Sequence, residues 1–229
     1  MSLILDRTVP QFATQTAVLP TAWSHTLYGR AVPDSLVSEG WLASYGNTAD
    51  QGEGEYAGIV LVVSGDALRA QEDGDDSGWA AKIAALASGW TASSELKALG
   101  VFEHTGARHI YSGSSANTAS AGGLAGSFPN FDRMDIGALT YNGTESPNYF
   151  DGAVHEIALW EDLAMSTAEM DILFQGVSPI VQNRANLSAL YRMIPGALEV
   201  DFLGRAHLTL TGSPTGGATG QGRFRRWPR

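Results

Sequence analysis

The chain has no cysteine among its 229 residues. Disulfide staples and thiolate-held zinc are therefore excluded, and thiols say nothing about redox compartment. It also lacks any apolar run approaching the roughly 20 residues that span a bilayer as a helix. The opening residues, MSLILDRTVPQF, reach Asp6 and Arg7 too early for a secretory signal. Basic residues are scarce: 14 Lys and Arg against 24 Asp and Glu give a net charge of -10. Binding through phosphates needs the opposite balance, so neither nucleic acid nor membrane is an expected partner.

Catalytic and metal signatures are missing as well. No G-x-S-x-G elbow occurs, because Gly113-Ser114-Ser115 has no second glycine, and no phosphate-binding P-loop is present. His25, His104, His109, His155 and His207 fall at no metal-ligand spacing. His104 and His109 flank one turn, where a polar pair is the simpler reading.

Hydrophobic residues make up 44% of the chain, enough for one sizeable core, and 27 glycines with little helical periodicity favour short strands and turns. Strands are expected over 3–12, 21–30, 41–45, 56–63, 94–103, 107–112, 131–138, 188–194 and 206–211. Ile59 to Val63 is almost uniformly apolar, as in a strand buried on both faces. The 21–30 strand alternates Trp23, His25, Leu27 and Gly29 with Ser24, Thr26 and Tyr28, which predicts partial burial of both faces. Trp79 to Leu86 is alanine-rich and reads as either strand or one helical turn. Residues 117–128 and 140–148 read as loops.

The most informative stretch is Tyr149 to Gly176. Asp151-Gly152 turns the chain into a largely apolar strand, 153–160, broken by His155-Glu156. Ser166 and Glu169 form a capping box, Met165 and Met170 are placed for a hydrophobic staple, and Gly176 suits a left-handed stop. One short helix is expected over 167–174.

That order of turn, strand, helix and stop, with FDG…E…W leading into S-x-x-E-M, resembles the closing part of laminin G-like domains, the concanavalin A-like jelly rolls. LDRTVPQF (5–12), FDRMDIG (131–137), GVSP (176–179) and NLSALY (186–191) extend the likeness to the laminin G-like proteins of tailed bacteriophages. The resemblance implies an all-β jelly-roll sandwich of two antiparallel sheets over residues 1–211, with the 79–86 segment as strand. Two departures matter. SELKALGVF (94–102) lacks the paired histidines, and RHIYSGS (108–114) lacks the Asp-Gly turn, of the phage proteins. No ligand role is carried over at those positions.

Several constellations in the sequence also have plainer readings. Glu156 and Glu161 suggest the carboxylate pair of concanavalin A-like glucanases. However, Ala158 stands where the central aspartate belongs, and residues five apart in a strand face opposite sides. Calcium at the sheet rim would use Asp73, Asp75 and Asp76, or Asp132 and Asp135, although acidic turn residues are common without any ion. Neither catalysis nor a resident cofactor is expected. For sugar recognition, by ring stacking and hydrogen bonding, Tyr141, Asn142 and Tyr149 are the candidates.

GSPTGGATGQG (212–222) reads as a flexible linker delivering a basic tail, 223–229. There Arg223, Arg225, Arg226 and Arg229 surround Phe224 and Trp227, a composition suited to docking on an acidic neighbour. The expectation is a non-enzymatic structural protein of a tailed-phage virion. It would be a homo-oligomer decorating the capsid or tail and contacting other virion proteins through that tail. The alternative is a glycan-binding receptor module that attaches the particle to host surface polysaccharide.

Overall fold

The computed structural model describes residues 2–6, 12–15, 24–34, 39–46, 56–73, 82–103, 107–122, 131–141, 144–145, 148–193, 208–211 and 215–217. In chain order the strands are β1 (Ser2–Leu5), β2 (Phe12–Gln15), β3 (His25–Pro33), β4 (Glu39–Gly46), β5 (Tyr56–Val62), β6 (Ala67–Asp73), β7 (Lys82–Leu86), β8 (Leu96–Phe102), β9 (Arg108–Ser112) and β10 (Thr118–Ala121). They continue as β11 (Arg133–Ile136), β12 (Thr140–Tyr141), β13 (Thr144–Glu145), β14 (Gly152–Glu161), β15 (Leu187–Arg192), β16 (Thr209–Thr211) and β17 (Thr215–Gly217), with helix α1 (Thr167–Phe174) between β14 and β15.

Two antiparallel sheets carry all but one hairpin. The first runs β10-β9-β8-β3-β14-β1-β17, with β15 also on β14, and the second runs β16-β2-β11-β4-β5-β6-β7. The hairpin β12-β13 stands apart.

Strand β14 shows how side-chain alternation builds the layers. Val154, Ile157 and Leu159 enter the core between the sheets, whereas Ala158 and Trp160 lie on the opposite face. The register against β3 shifts between Val154 and Glu156. This bulge at His155 resets the alternation, so Val154 and Ile157 share a face although they are three apart. The polar interruption in the sequence therefore marks a bulge within one continuous strand.

Helix α1 covers the outer face of the first sheet. Met165, Met170, Leu173 and Phe174 pack on Tyr28, Leu99, Val101 and Trp160. The Glu169 carboxylate accepts from Ser166 N at 2.9 Å and Ser166 Oγ at 2.6 Å, closing the expected capping box. At the other end Gly176, with φ 93°, donates to Leu173 O at 2.9 Å while Val177 N reaches Ile172 O at 3.2 Å. That pair of bonds is a Schellman stop.

Among the described residues, a charge pair lies inside the core. Arg108 on β9 of the first sheet meets Glu72 on β6 of the second, with side chains 1% and 3% exposed. Arg108 Nη1 also donates to Glu103 O at 2.8 Å. Beside the pair, burial and then the Glu72 carboxylate push the Tyr45 phenol well above its ordinary pKa. Tyr45 sits edge-on to Phe131, 4.8 Å between centroids, with His25 at 5.5 Å.

The structure redraws several expected boundaries. The 3–12 strand divides into β1 and β2, which lie in different sheets. Strand β3 is buried on both faces along most of its length, more than its alternation suggested, because α1 covers its outer side. Strand β7 bears out the extended reading of the alanine-rich segment over Lys82–Leu86, while residues 79–81 lie outside the described ones. Strand β10 lies inside the expected 117–128 loop, and its small Ala119 and Ala121 pack against the core. Within the expected linker, Thr215–Gly217 pairs with β1 as β17.

Replacing Glu72 by Ala removes the carboxylate that faces the buried Arg108 guanidinium, and should cost about 3–5 kcal/mol in urea-unfolding experiments. The double replacement Glu72→Leu, Arg108→Met should recover most of that loss. For the cap, Ser166→Ala should cost about 1 kcal/mol. Hydrogen bonds from Ser166 and Asn183 hold the Glu169 pKa below its ordinary 4.5. The cap's contribution is therefore complete above that value and lost as pH falls through the lowered one, a dependence that thermal melts of Ser166→Ala should show reduced.

Candidate functional site

Among the described residues no helix covers the outer face of the second sheet, although Phe12, Trp41, Ser44, Val60 and Asp135 on it are buried. Strand register places Thr14, Asp135, Ser44, Gly58 and Gln71 in one row across this face. Their chain neighbours Ala13, Met134, Ile136, Tyr45, Ala57, Ile59 and Ala70 point into the core.

Tyr149 is set on this face by the residue after it. Phe150 is buried in the core, and its N–H donates to Gly137 O at 2.9 Å. The extended chain therefore turns Tyr149 the other way. Trp41 N donates to Asn148 O at 3.3 Å, Trp41 bridges Tyr149 in parallel, and Asn148 Nδ2 donates to Glu39 Oε1. The half-buried Tyr149 ring stacks on Phe12, centroids 6.2 Å apart and planes 16° from parallel.

The guanidinium of Arg133 lies 5.8 Å from the centroid of the same Phe12 ring. Arg133 Nε donates to Asp135 Oδ1 at 2.9 Å and Nη2 to Thr14 Oγ1 at 3.0 Å, while Thr14 Oγ1 donates to Asp135 Oδ1. Tyrosine, phenylalanine and arginine thus form a ladder in which the half-buried Tyr149 ring and the Arg133 guanidinium both lie against the buried Phe12 ring, beside the buried Asp135 carboxylate. Farther across, Trp41 and Tyr56 meet edge-on at 5.5 Å, and Gln71 Nε2 donates to Tyr56 Oη at 2.9 Å. Gly58 packs closely on β4, where a Cβ would come within 2.5 Å of Ala43 O, so the row carries no side chain at that point.

Of the sugar-binding candidates, Tyr149 lies in this cluster. Tyr141 belongs to β12, whereas Asn142 lies outside the described residues, as do Arg223, Phe224, Arg225, Arg226, Trp227 and Arg229. Asp75 and Asp76 lie outside them too. Asp135 is committed to Arg133 and Thr14, and among the described residues no three His, Asp or Glu side chains converge as a metal site. Glu156 shares the helix-side face of Ala158 and Trp160 and pairs with Arg192 at 2.9 Å, while Glu161 falls on the other face. They do not flank a common cleft. The sequence reading does not single out Phe12, Thr14 or Arg133, and names Asp135 only as a candidate calcium ligand. The alternation of Arg133 and Asp135 with Met134 and Ile136 was the available signal.

No protein-family model matches the chain, and no curated protein matches it in sequence. Solved structures do match in shape. A Bacteroides ovatus protein provisionally described as carbohydrate-binding superposes with a TM-score of 0.63 over 94% of this chain, at 16% identity. The fold is a concanavalin A-like jelly roll. This chain spans 60% of the length of the Bacteroides protein. The CBM40 module of a Ruminococcus gnavus IT-sialidase, solved with α2,3-sialyllactose, gives 0.56 at 11% identity, covering 67% of this chain and 84% of the module. A heptameric SAP-like pentraxin from Limulus polyphemus gives 0.52 at 16% identity, covering 76% and 80%. At such identities the likeness is one of fold.

Opposite placement of adjacent side chains gives a direct expectation. Phe150→Ala should lower stability by about 3–5 kcal/mol, while Tyr149→Ala should stay within about 1 kcal/mol of the parent in the same urea titration.

Proposed function

We propose that this chain is a glycan-binding module, with its ligand on the outer face of the second sheet beside Tyr149, Thr14, Arg133 and Asn148. The observation that carries the reading is the Tyr149 ring, fixed by the Phe150 anchor and stacked on Phe12, next to the Arg133-Asp135-Thr14 network. A sugar has one apolar face and an equator of hydroxyls, so it is held by a ring together with planar donors and acceptors. The carbohydrate-binding descriptions of the Bacteroides and Ruminococcus structures support the same reading.

Binding here needs no turnover, and the reading is of a non-catalytic module. Placement on a phage particle, oligomer formation and docking of residues 223–229 on neighbouring proteins rest on the sequence resemblance and on the composition of the tail. Within that setting the module would serve attachment to host surface polysaccharide.

On an array of bacterial and host glycans the full chain should bind a defined subset, and Tyr149→Ala should weaken that binding at least about tenfold, equivalent to 1.4 kcal/mol. Absence of binding across the array, or binding indifferent to Tyr149→Ala, would overturn this assignment.

A further inference from the structure

We infer that the glycan held on this face is electrically neutral, a sugar bearing no carboxylate; the inference rests on the glycan-binding reading above. The argument starts from the cation at the site. An arginine binds a carboxylate most strongly when both arms of its fork are open and its charge is not already paired. Arg133 meets neither condition. Its Nε is bound to Asp135 Oδ1 at 2.9 Å, and the Asp135 side chain is 3% exposed, so the acid is fixed beside it. Nη2 is bound to Thr14 at 3.0 Å, and the guanidinium also lies on the Phe12 ring.

What remains of Arg133 is a set of oriented N–H donors with little net charge behind them. These suit hydroxyl and ring oxygens. A second acid stands on the same side of the site: Glu39 accepts from Asn148, the residue before Tyr149. Among the described groups, Arg133, Asp135 and Glu39 sum to one negative charge on this side of the ring. The chain as a whole carries -10, which opposes the approach of any polyanion. Arg69 is the other described arginine on this face, but register places β6 three strands from β11, about 14 Å away at the usual strand spacing. A sugar stacked on Tyr149 is therefore met by a cation already paired with Asp135 and by the Glu39 carboxylate.

The test compares matched glycans on the full-length chain, each backbone in a neutral form and in a sialylated or uronate-bearing form, by calorimetric titration at low and at physiological salt. The neutral member of each bound pair should bind at least about tenfold more tightly, with little change on adding salt, because no ion pair is made. Asp135→Asn, which frees the Arg133 charge, should narrow the gap between the two forms by about tenfold, and Arg133→Gln should widen it. Circular dichroism of both variants serves as the folding control.

Equal or tighter binding of the carboxylated form, lost on Arg133→Gln or Arg69→Gln, would overturn the inference while leaving glycan binding intact. A neutral preference that neither variant moves would also overturn it, since the Arg133-Asp135 compensation would then not set the choice. Failure of both forms of every backbone to bind would remove the glycan-binding reading itself.

Discussion

Strand β14 faces solvent on neither side for most of its length, and the layout of the molecule follows from that constraint. Val154, Ile157 and Leu159 need a second sheet above them, while Ala158 and Trp160 need a cover below, which α1 supplies. Burying such side chains contributes about 1.5–3 kcal/mol each. A single helix, eight residues long, suffices because it is capped at both ends and lies directly after the strand it covers. Once the helix is committed to the first sheet, the second sheet keeps a face on which rings and polar groups stand side by side.

Much of this architecture could be read from the residues. The span of α1, its capping box and its glycine stop are local devices, each completed within about ten residues of sequence. The apolar run of β5 reported burial on both faces, and the structure divides it between the core, through Ile59 and Leu61, and the Trp41-Leu139 cluster, through Val60 and Val62. What escaped was long-range. Nothing near Thr118 announces that Ala119 and Ala121 lie against the core, because alanine carries little pattern of its own. The first strand was read as one piece because its division depends on which partners β1 and β2 find: β14 and β17 for one, β11 and β16 for the other.

The site was legible in part for the same reason. Tyr149 stood out as an aromatic in a polar stretch, and the buried Phe150 beside it fixes its direction. Phe12, Thr14, Arg133 and Asp135 join it only through the pairing of β2 with β11, residues more than a hundred positions apart. A motif cannot carry that information, since Arg133 and Asp135 look like ordinary surface charges until the strand register brings Thr14 alongside. The sequence resemblance and the solved structures agree on the sandwich.

The Arg108-Glu72 bridge through the middle of the sandwich bears on how this protein can change over generations. Neither partner tolerates being left behind in a dry interior, so the two positions form a single heritable unit spread across both layers. Drift at one position is closed unless the other moves with it, and lineages descending from this chain are expected to hold either both charges or an apolar couple.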